Sequence, residues 1–110
     1  MEYPRIGNIQ RDGFALLAPM AGVSDLAYRV IARKMGAALT TAEMVSAKGL
    51  YYHNEKTKDM LKIAEEEHPV SLQLFGSDPA IMALGAKVME EAGADIVDIN
   101  MGCPMQKVVK

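Results

Sequence analysis

The chain has a single cysteine, Cys103, and the position of this residue is the clearest indication of chemistry in the sequence. It lies in residues 98–104, which read Asp-Ile-Asn-Met-Gly-Cys-Pro and follow a β-branched stretch that begins at Ile96. Enzymes with parallel strands keep their reacting groups at the carboxyl ends of those strands. A thiol has an ordinary pKa of about 8.5, so it could serve as a proton donor or as a nucleophile. A buried, inert cysteine is the alternative, and the residue types leave all three open.

Candidate ligand-binding residues also follow or lie within strands predicted earlier in the chain. Gln73 lies in an apolar run and offers both an amide donor and an acceptor, the complement of the N–H and C=O edge of a pyrimidine-like ring. A core glutamine that bonds to the backbone is an equally good interpretation. Ala21 and Gly22 follow Pro19 and are small enough for a flat ligand to approach the backbone closely.

Alternating strands and helices must position these residues. Strands are predicted over residues 14–18, 39–41, 70–75 and 96–100, after a small hairpin over residues 6–10. Helices are predicted from an N-cap at Ser24 to Gly36, over residues 56–67, and from a cap at residues 77–79 to Gly93, with a partly helical loop over residues 47–54. Strand–helix units that recur about every 25–30 residues indicate a parallel sheet with crossover helices.

The fold class predicted from this pattern is α/β, and more narrowly the N-terminal half of a (β/α)8 TIM barrel. Such a barrel has about 250 residues, whereas this chain has 110 and offers no helix after its fourth strand. We therefore expect about four parallel strands with crossover helices, truncated after the fourth. The open sheet edges of such a fragment could allow it to self-associate.

Composition excludes several classes of protein. The net charge of −2 gives no basic footprint for nucleic acid, and 24% charged residues are ordinary for a soluble domain. One cysteine, no signal peptide and no long apolar run favour a cytoplasmic location. His53 and His68 lack metal-ligand spacing, so we expect both to be solvated and infer no metal. Residues 65–67, three glutamates, are interpreted as a solvated helix face.

Four segments, in order along the chain, together resemble the bacterial tRNA-dihydrouridine synthases. They are residues 17–25 (LAPMAGVSD), 43–47 (EMVSA), 70–76 (VSLQLFG) and 98–108 (DINMGCPMQKV). The resemblance covers essentially the whole chain. It implies an FMN-binding TIM barrel followed by a helical tRNA-binding domain, and an enzyme that reduces uridines in tRNA with NADPH as the reductant. Residues 1–110 would be the N-terminal portion of the catalytic domain, without the rest of the barrel and the helical domain.

The resemblance also implies roles for individual residues. Pro19, Met20 and Ala21 would lie against the isoalloxazine, Gln73 would bond to the pyrimidine edge of the flavin, Asn100 would lie near the flavin and the flipped uracil, and Cys103 would be the general acid. Reduced FMN would deliver hydride to C6 of the uracil, and the Cys103 thiol would protonate C5. The target uridine must leave its stack to reach the flavin.

Three interpretations of the function follow. The first is the tRNA uridine reductase. The chain alone is expected to be inactive, because half of the flavin site is absent. The second is a related flavin reductase that acts on a free pyrimidine, since fold alone does not fix the substrate. The third is a non-catalytic half-barrel fragment that self-associates. Lys107 and Lys110 are the only basic residues expected near the substrate, and a solvated loop is as good an interpretation for both.

Overall fold

A parallel sheet is the centre of the computed structural model, which describes residues 3–102. Its strand segments are β1 (Leu16–Leu17), β2 (Leu39–Thr41), β3 (Val45–Ser46), β4 (Val70–Phe75) and β5 (Ile96–Ile99). β1 pairs with β2, both β2 and β3 pair with β4, and β4 pairs with β5, always in parallel. The predicted α/β arrangement is therefore confirmed. Cys103, Lys107 and Lys110 lie outside the described residues.

β2 and β3 form one interrupted strand along a single edge of β4. Thr41 pairs with Ser71 and Val45 pairs with Leu74, so residues 42–44 face only residues 72–73. The one extra residue makes a β-bulge, a feature that redirects side chains near active sites. β3 was not predicted from the sequence, because two extended residues after a bulge show no alternation. The sheet is nevertheless four strands wide, as predicted.

The helices are α1 (Leu26–Lys34), α2 (Ala47–Tyr51), α3 (Glu55–Asp59) and α4 (Pro79–Glu91). α4 begins after the predicted cap, where the Asp78 carboxylate accepts hydrogen bonds from the first turn. α1 differs from the prediction, because its N-cap is Asp25 and not Ser24. Within residues 3–102, no helix is both long and apolar enough to cross a membrane.

The predicted helix over residues 56–67 is wrong in length. α3 ends at Asp59, and the chain turns before a short 3₁₀ segment at Glu65–Glu67. Two tertiary contacts explain the break, since Leu61 enters the apolar core and Glu67 is buried against Arg29. The prediction of a solvated glutamate face is therefore wrong for Glu67, which has no exposed surface.

The apolar core lies on the side of the sheet that faces the helices. Its buried members are Ala42, Val45, Ala47, Leu50, Leu61, Leu72, Leu74 and Met89. α4 packs closely on β4, because a Cβ placed on Gly85 would lie 3.1 Å from Cδ1 of Leu74. Side chains alternate along a strand, so Ser71 and Gln73 point to the opposite face. The sheet thus separates an apolar helix-covered face from a more polar one.

Thr40 offers a test of this core. Its side chain is fully buried, and its hydroxyl has no hydrogen-bond partner among the described residues. An unpaired buried hydroxyl is costly, so Thr40→Val, which keeps the shape, is expected to raise the free energy of unfolding by roughly 1 kcal/mol. Urea denaturation measures the change, with Thr41→Val on the opposite face as the control. A loss of stability in Thr40→Val would contradict this assignment.

His68 was expected to be solvated, but its side chain pairs with Asp95. Its Nδ1 lies 2.7 Å from Oδ2 of Asp95, and the same oxygen accepts the Val70 N–H at 2.8 Å. The hydrogen bond to Asp95 raises the pKa of His68 above its ordinary value of 6.5, and the nearby Glu65 and Glu67 add to this effect. The pair joins the amino ends of β4 and β5, because Asp95 immediately precedes β5.

The raised pKa predicts a pH-dependent stability. Folding favours the protonated histidine, so the contribution of the pair is fully present below the unfolded pKa of about 6.5. It is lost as the pH rises through the higher folded pKa of His68. The urea midpoint is therefore expected to fall as the pH rises above about 6.5. His68→Gln should flatten this dependence, and an equally steep fall in that variant would assign it to another group.

Candidate functional site

Gln73 and Asn100 are brought together at the carboxyl ends of β4 and β5. Asn100 Nδ2 donates to Gln73 Oε1 at 3.2 Å, and Gln73 Nε2 donates to Asp98 Oδ2 at 2.6 Å. Gln73 is only 7% exposed, and within residues 3–102 its amide bonds to the side chains of Asp98 and Asn100 and not to the backbone. The two bonds use one N–H and one carbonyl lone pair of Gln73, which leaves a second of each for a ligand.

Asp98 is the member of this group to which the sequence analysis gave no role. Strand register places Asp98 directly beside Gln73. An ionised carboxylate only accepts hydrogen bonds, so Asp98 fixes which end of the Gln73 amide faces β5. The signal was present in the sequence, because Asp98 interrupts the apolar strand residues 96–99 two positions before Asn100.

The bulge in the second strand contributes Met44 to the same region. Asn100 Nδ2 lies 3.7 Å from the Met44 sulfur, and Met44 is one of the three residues between β2 and β3 that form the bulge. On the other side, the Gly102 N–H donates to Asn100 Oδ1 at 3.0 Å. Asn100 therefore contacts the bulge and also closes the turn that leads toward Cys103, whose own position lies outside the described residues.

An open cleft of about 390 Å³ extends from Met44 along the carboxyl ends of the strands. Its lining combines small and apolar side chains with polar ones, among them Ala21, Glu43, Met44, Ser46, Lys56 and Phe75. Pro19 and Met20 directly precede Ala21 in the chain but do not line this cleft. Met20 is 53% exposed. The cleft thus joins Ala21, from the turn after β1, to the bulge that contacts Asn100.

The turn after β1 has a defined backbone. Gly22 has φ +75°, a left-handed conformation in which a larger residue would be strained. The Met20 carbonyl accepts the N–H groups of Val23 and Ser24 at 3.0 and 2.9 Å. The side chains at residues 20–23 are exposed, so the fold of this turn depends on its hydrogen bonds.

The electrostatic character of the region is mixed. Asp98 and Glu43 supply carboxylates, while Lys56 supplies the cation of the cleft. Across residues 3–102, no group of three or more histidines, cysteines or carboxylates could hold a metal ion. The chemistry available here is therefore recognition by paired amides beside an apolar wall, which suits the polar edge of a flat heteroaromatic ring.

A site at the carboxyl ends of parallel strands is characteristic of α/β-barrel enzymes. A family model described as "Dihydrouridine synthase (Dus)" matches residues 16–110, so the chain belongs to the dihydrouridine synthase family. The predicted family is confirmed, and with it the assignment of the parallel sheet to a TIM-barrel fold.

Relatives from several bacteria agree with this assignment. The chain is 44% identical over 104 residues to tRNA-dihydrouridine synthase B of Pasteurella multocida, with 94% of this chain and 31% of that protein covered. It is 42% identical over 106 residues to the protein of the same name from Proteus vulgaris, with 96% of this chain and 33% of that protein covered. The identity is 41% over 108 residues for the Pseudomonas aeruginosa protein, with 98% and 32% covered. The chain spans about a third of the length of these relatives.

Proposed function

We propose that the chain is part of a flavin-dependent enzyme that reduces uridine in tRNA to 5,6-dihydrouridine. The observation that carries the proposal is the amide pair Gln73–Asn100, held by Asp98 at the carboxyl end of the sheet. Membership of the dihydrouridine synthase family supports it, as do relatives named tRNA-dihydrouridine synthase B. Residues 1–110 would form the N-terminal portion of the catalytic barrel, and the rest of the barrel and a helical tRNA-binding domain would come from further sequence.

The proposed cofactor is FMN, and the described donors are suited to it. Gln73 retains one N–H and one carbonyl lone pair after its two internal bonds, the complement of the pyrimidine edge of a flavin. Residues 19–21 are proposed to lie against the ring system. The small side chain of Ala21 would permit the ring to approach the backbone closely. When bound and reduced by NADPH, FMN would supply hydride to C6 of the uracil.

The proposed work of the protein is to bind the base and to deliver a proton. Asn100 would hold the uracil that has left its stack, with its own amide oriented by Gln73 and Met44. The Cys103 thiol would give its proton to C5 as the C5=C6 double bond is reduced, so that one hydride and one proton are added. The thiolate that remains would regain a proton from solvent.

Proposed partners are the tRNA substrate and the nicotinamide reductant, in the cytoplasm. The net charge of −2 supports the proposal that most of the basic tRNA surface belongs to further sequence. We also propose that the chain is inactive by itself, because the remaining part of the flavin site would be missing. The open edges of the sheet could then support self-association of the isolated chain.

The test uses the natural full-length polypeptide with tRNA that lacks dihydrouridine. With NADPH present, we expect tightly bound FMN and a mass gain of two hydrogen atoms in specific uridines. A free pyrimidine is the comparison substrate, and its exclusive reduction would favour the second interpretation instead. A protein without flavin or reductase activity would contradict the proposal and favour a non-catalytic fragment.

A further inference from the structure

Ser24 is buried beneath the turn after β1, and its hydroxyl is not used as a helix cap. Asp25 caps α1 instead, by accepting the Tyr28 N–H at 2.9 Å. The Ser24 hydroxyl accepts the Met20 N–H at 2.9 Å and donates to the Met20 carbonyl at 3.1 Å. One side chain therefore engages both polar backbone groups of Met20.

A buried arginine holds the backbone of Ser24. Arg29 Nη1 donates to the Ser24 carbonyl at 2.8 Å, and Arg29 Nη2 donates to the Lys62 carbonyl at 2.9 Å. Arg29 Nε is paired with Glu67 Oε1 at 2.5 Å, and both side chains are at most 2% exposed. Each of the three guanidinium nitrogens thus donates a hydrogen bond, and together these bonds fix the conformation of the Arg29 side chain.

Glu67 completes the series of contacts. Its second oxygen, Oε2, accepts the Ala64 N–H at 2.6 Å, so the carboxylate is fixed by the loop that precedes β4. A buried ion pair contributes little net stability compared with apolar packing, but it can specify one arrangement. Here the arrangement extends from the 3₁₀ segment through α1 to the backbone of Met20.

We infer that Ser24 and Arg29 are positioning residues for the flavin, acting through the segment of residues 19–21. The inference rests on the proposed function, in which that segment contacts the flavin ring. Residues 20–22 are exposed, so packing contributes little to the shape of the turn. Its hydrogen bonds to Ser24 therefore determine where the backbone meets a ligand.

The test compares Ser24→Ala with Met89→Ala in the natural full-length protein. Ser24→Ala removes both hydroxyl bonds to Met20 without adding volume, and keeps the bond from the Ser24 N–H to the Met20 carbonyl. We expect flavin affinity to fall about tenfold. The visible circular dichroism of the bound flavin should change, and amide exchange should accelerate in residues 20–24. Met89→Ala, in the core on the helix-covered face, should lower the stability at least as much while leaving the flavin affinity and spectrum intact.

The outcomes separate the inference from the proposed function. If the wild-type protein binds no flavin, the proposed function fails and the inference fails with it. If the wild-type protein binds flavin and Ser24→Ala binds it equally well, only the inference is overturned. Equal losses of affinity in Ser24→Ala and Met89→Ala would also overturn it, because general destabilisation would then explain both.

Discussion

Cys103→Ala is expected to slow uridine reduction by about 10²- to 10⁴-fold while flavin binding is retained. The proposed role of the thiol is to protonate C5 of the uracil, and alanine has no proton to give. The rate is measured as dihydrouridine formed per unit time by the natural full-length enzyme. Met101→Ala is the matched control, since Met101 is 91% exposed two residues earlier and is assigned no role.

The pH dependence of the wild-type rate distinguishes the two chemical roles of a thiol. A proton donor must be protonated, so the rate should fall as the pH rises through the thiol pKa. A nucleophile acts as the thiolate, so its rate would rise over the same range. A Cys103→Ala enzyme with unchanged rate would remove the residue from the mechanism altogether, and a rate that rises with pH would reject the role of general acid.

Glu67→Gln is expected to have the largest effect on stability, a loss of about 3–5 kcal/mol in the free energy of unfolding. The substitution keeps the size of the side chain but leaves the Arg29 guanidinium buried without its counter-charge. Both groups are almost fully buried, so water cannot replace the lost partner. Chemical denaturation of the variant and the wild type measures the difference.

The chain provides a control pair for this prediction. Lys62 and Asp59 form an ion pair at 3.6 Å with both side chains at least 70% exposed. Asp59→Asn should therefore change the stability by less than about 1 kcal/mol. The double variant Arg29→Met, Glu67→Leu should be more stable than Glu67→Gln, because it buries no unpaired charge. A Glu67→Gln variant as stable as Asp59→Asn would show that the buried pair does not constrain the fold.

Much of the architecture could be predicted because the signals for it are local. Val70–Phe75 is an apolar run between Pro69 and Gly76, and it forms β4 with the predicted bounds. Asp78 and Pro79 determine where α4 begins. The Asp78 side chain accepts hydrogen bonds from the first amide groups of the helix, and Pro79 has no amide hydrogen that would need a partner. The segments that carried the family resemblance are also contiguous in sequence, and the family assignment was confirmed.

The errors occurred where a contact outside the helix competes with the preference of the helical sequence. Ser24 has a good N-cap side chain, but its hydroxyl bonds to Met20 and leaves the capping to Asp25. Glu67 is part of a run of acidic residues typical of a solvated helix, but Arg29 draws it into the interior. The burial of Glu67 cannot be read from neighbouring residues, because Arg29 lies 38 positions away on α1, whereas the Ser24 bonds span only four residues and depend on how the turn at Met20 folds.

The sequence by itself determined the α/β class, the order of the long elements and the residue types offered at the strand ends. Local hydrophobic pattern and turn chemistry are sufficient for these. Only the tertiary structure decided that Asp98 orients Gln73, that a bulge directs Met44 toward Asn100, and that Arg29 and Ser24 support the turn at Met20. These contacts depend on strand register and on helix packing across the sheet. Both are set by the whole chain at once, since a shift of a single residue would turn each side chain to the other face.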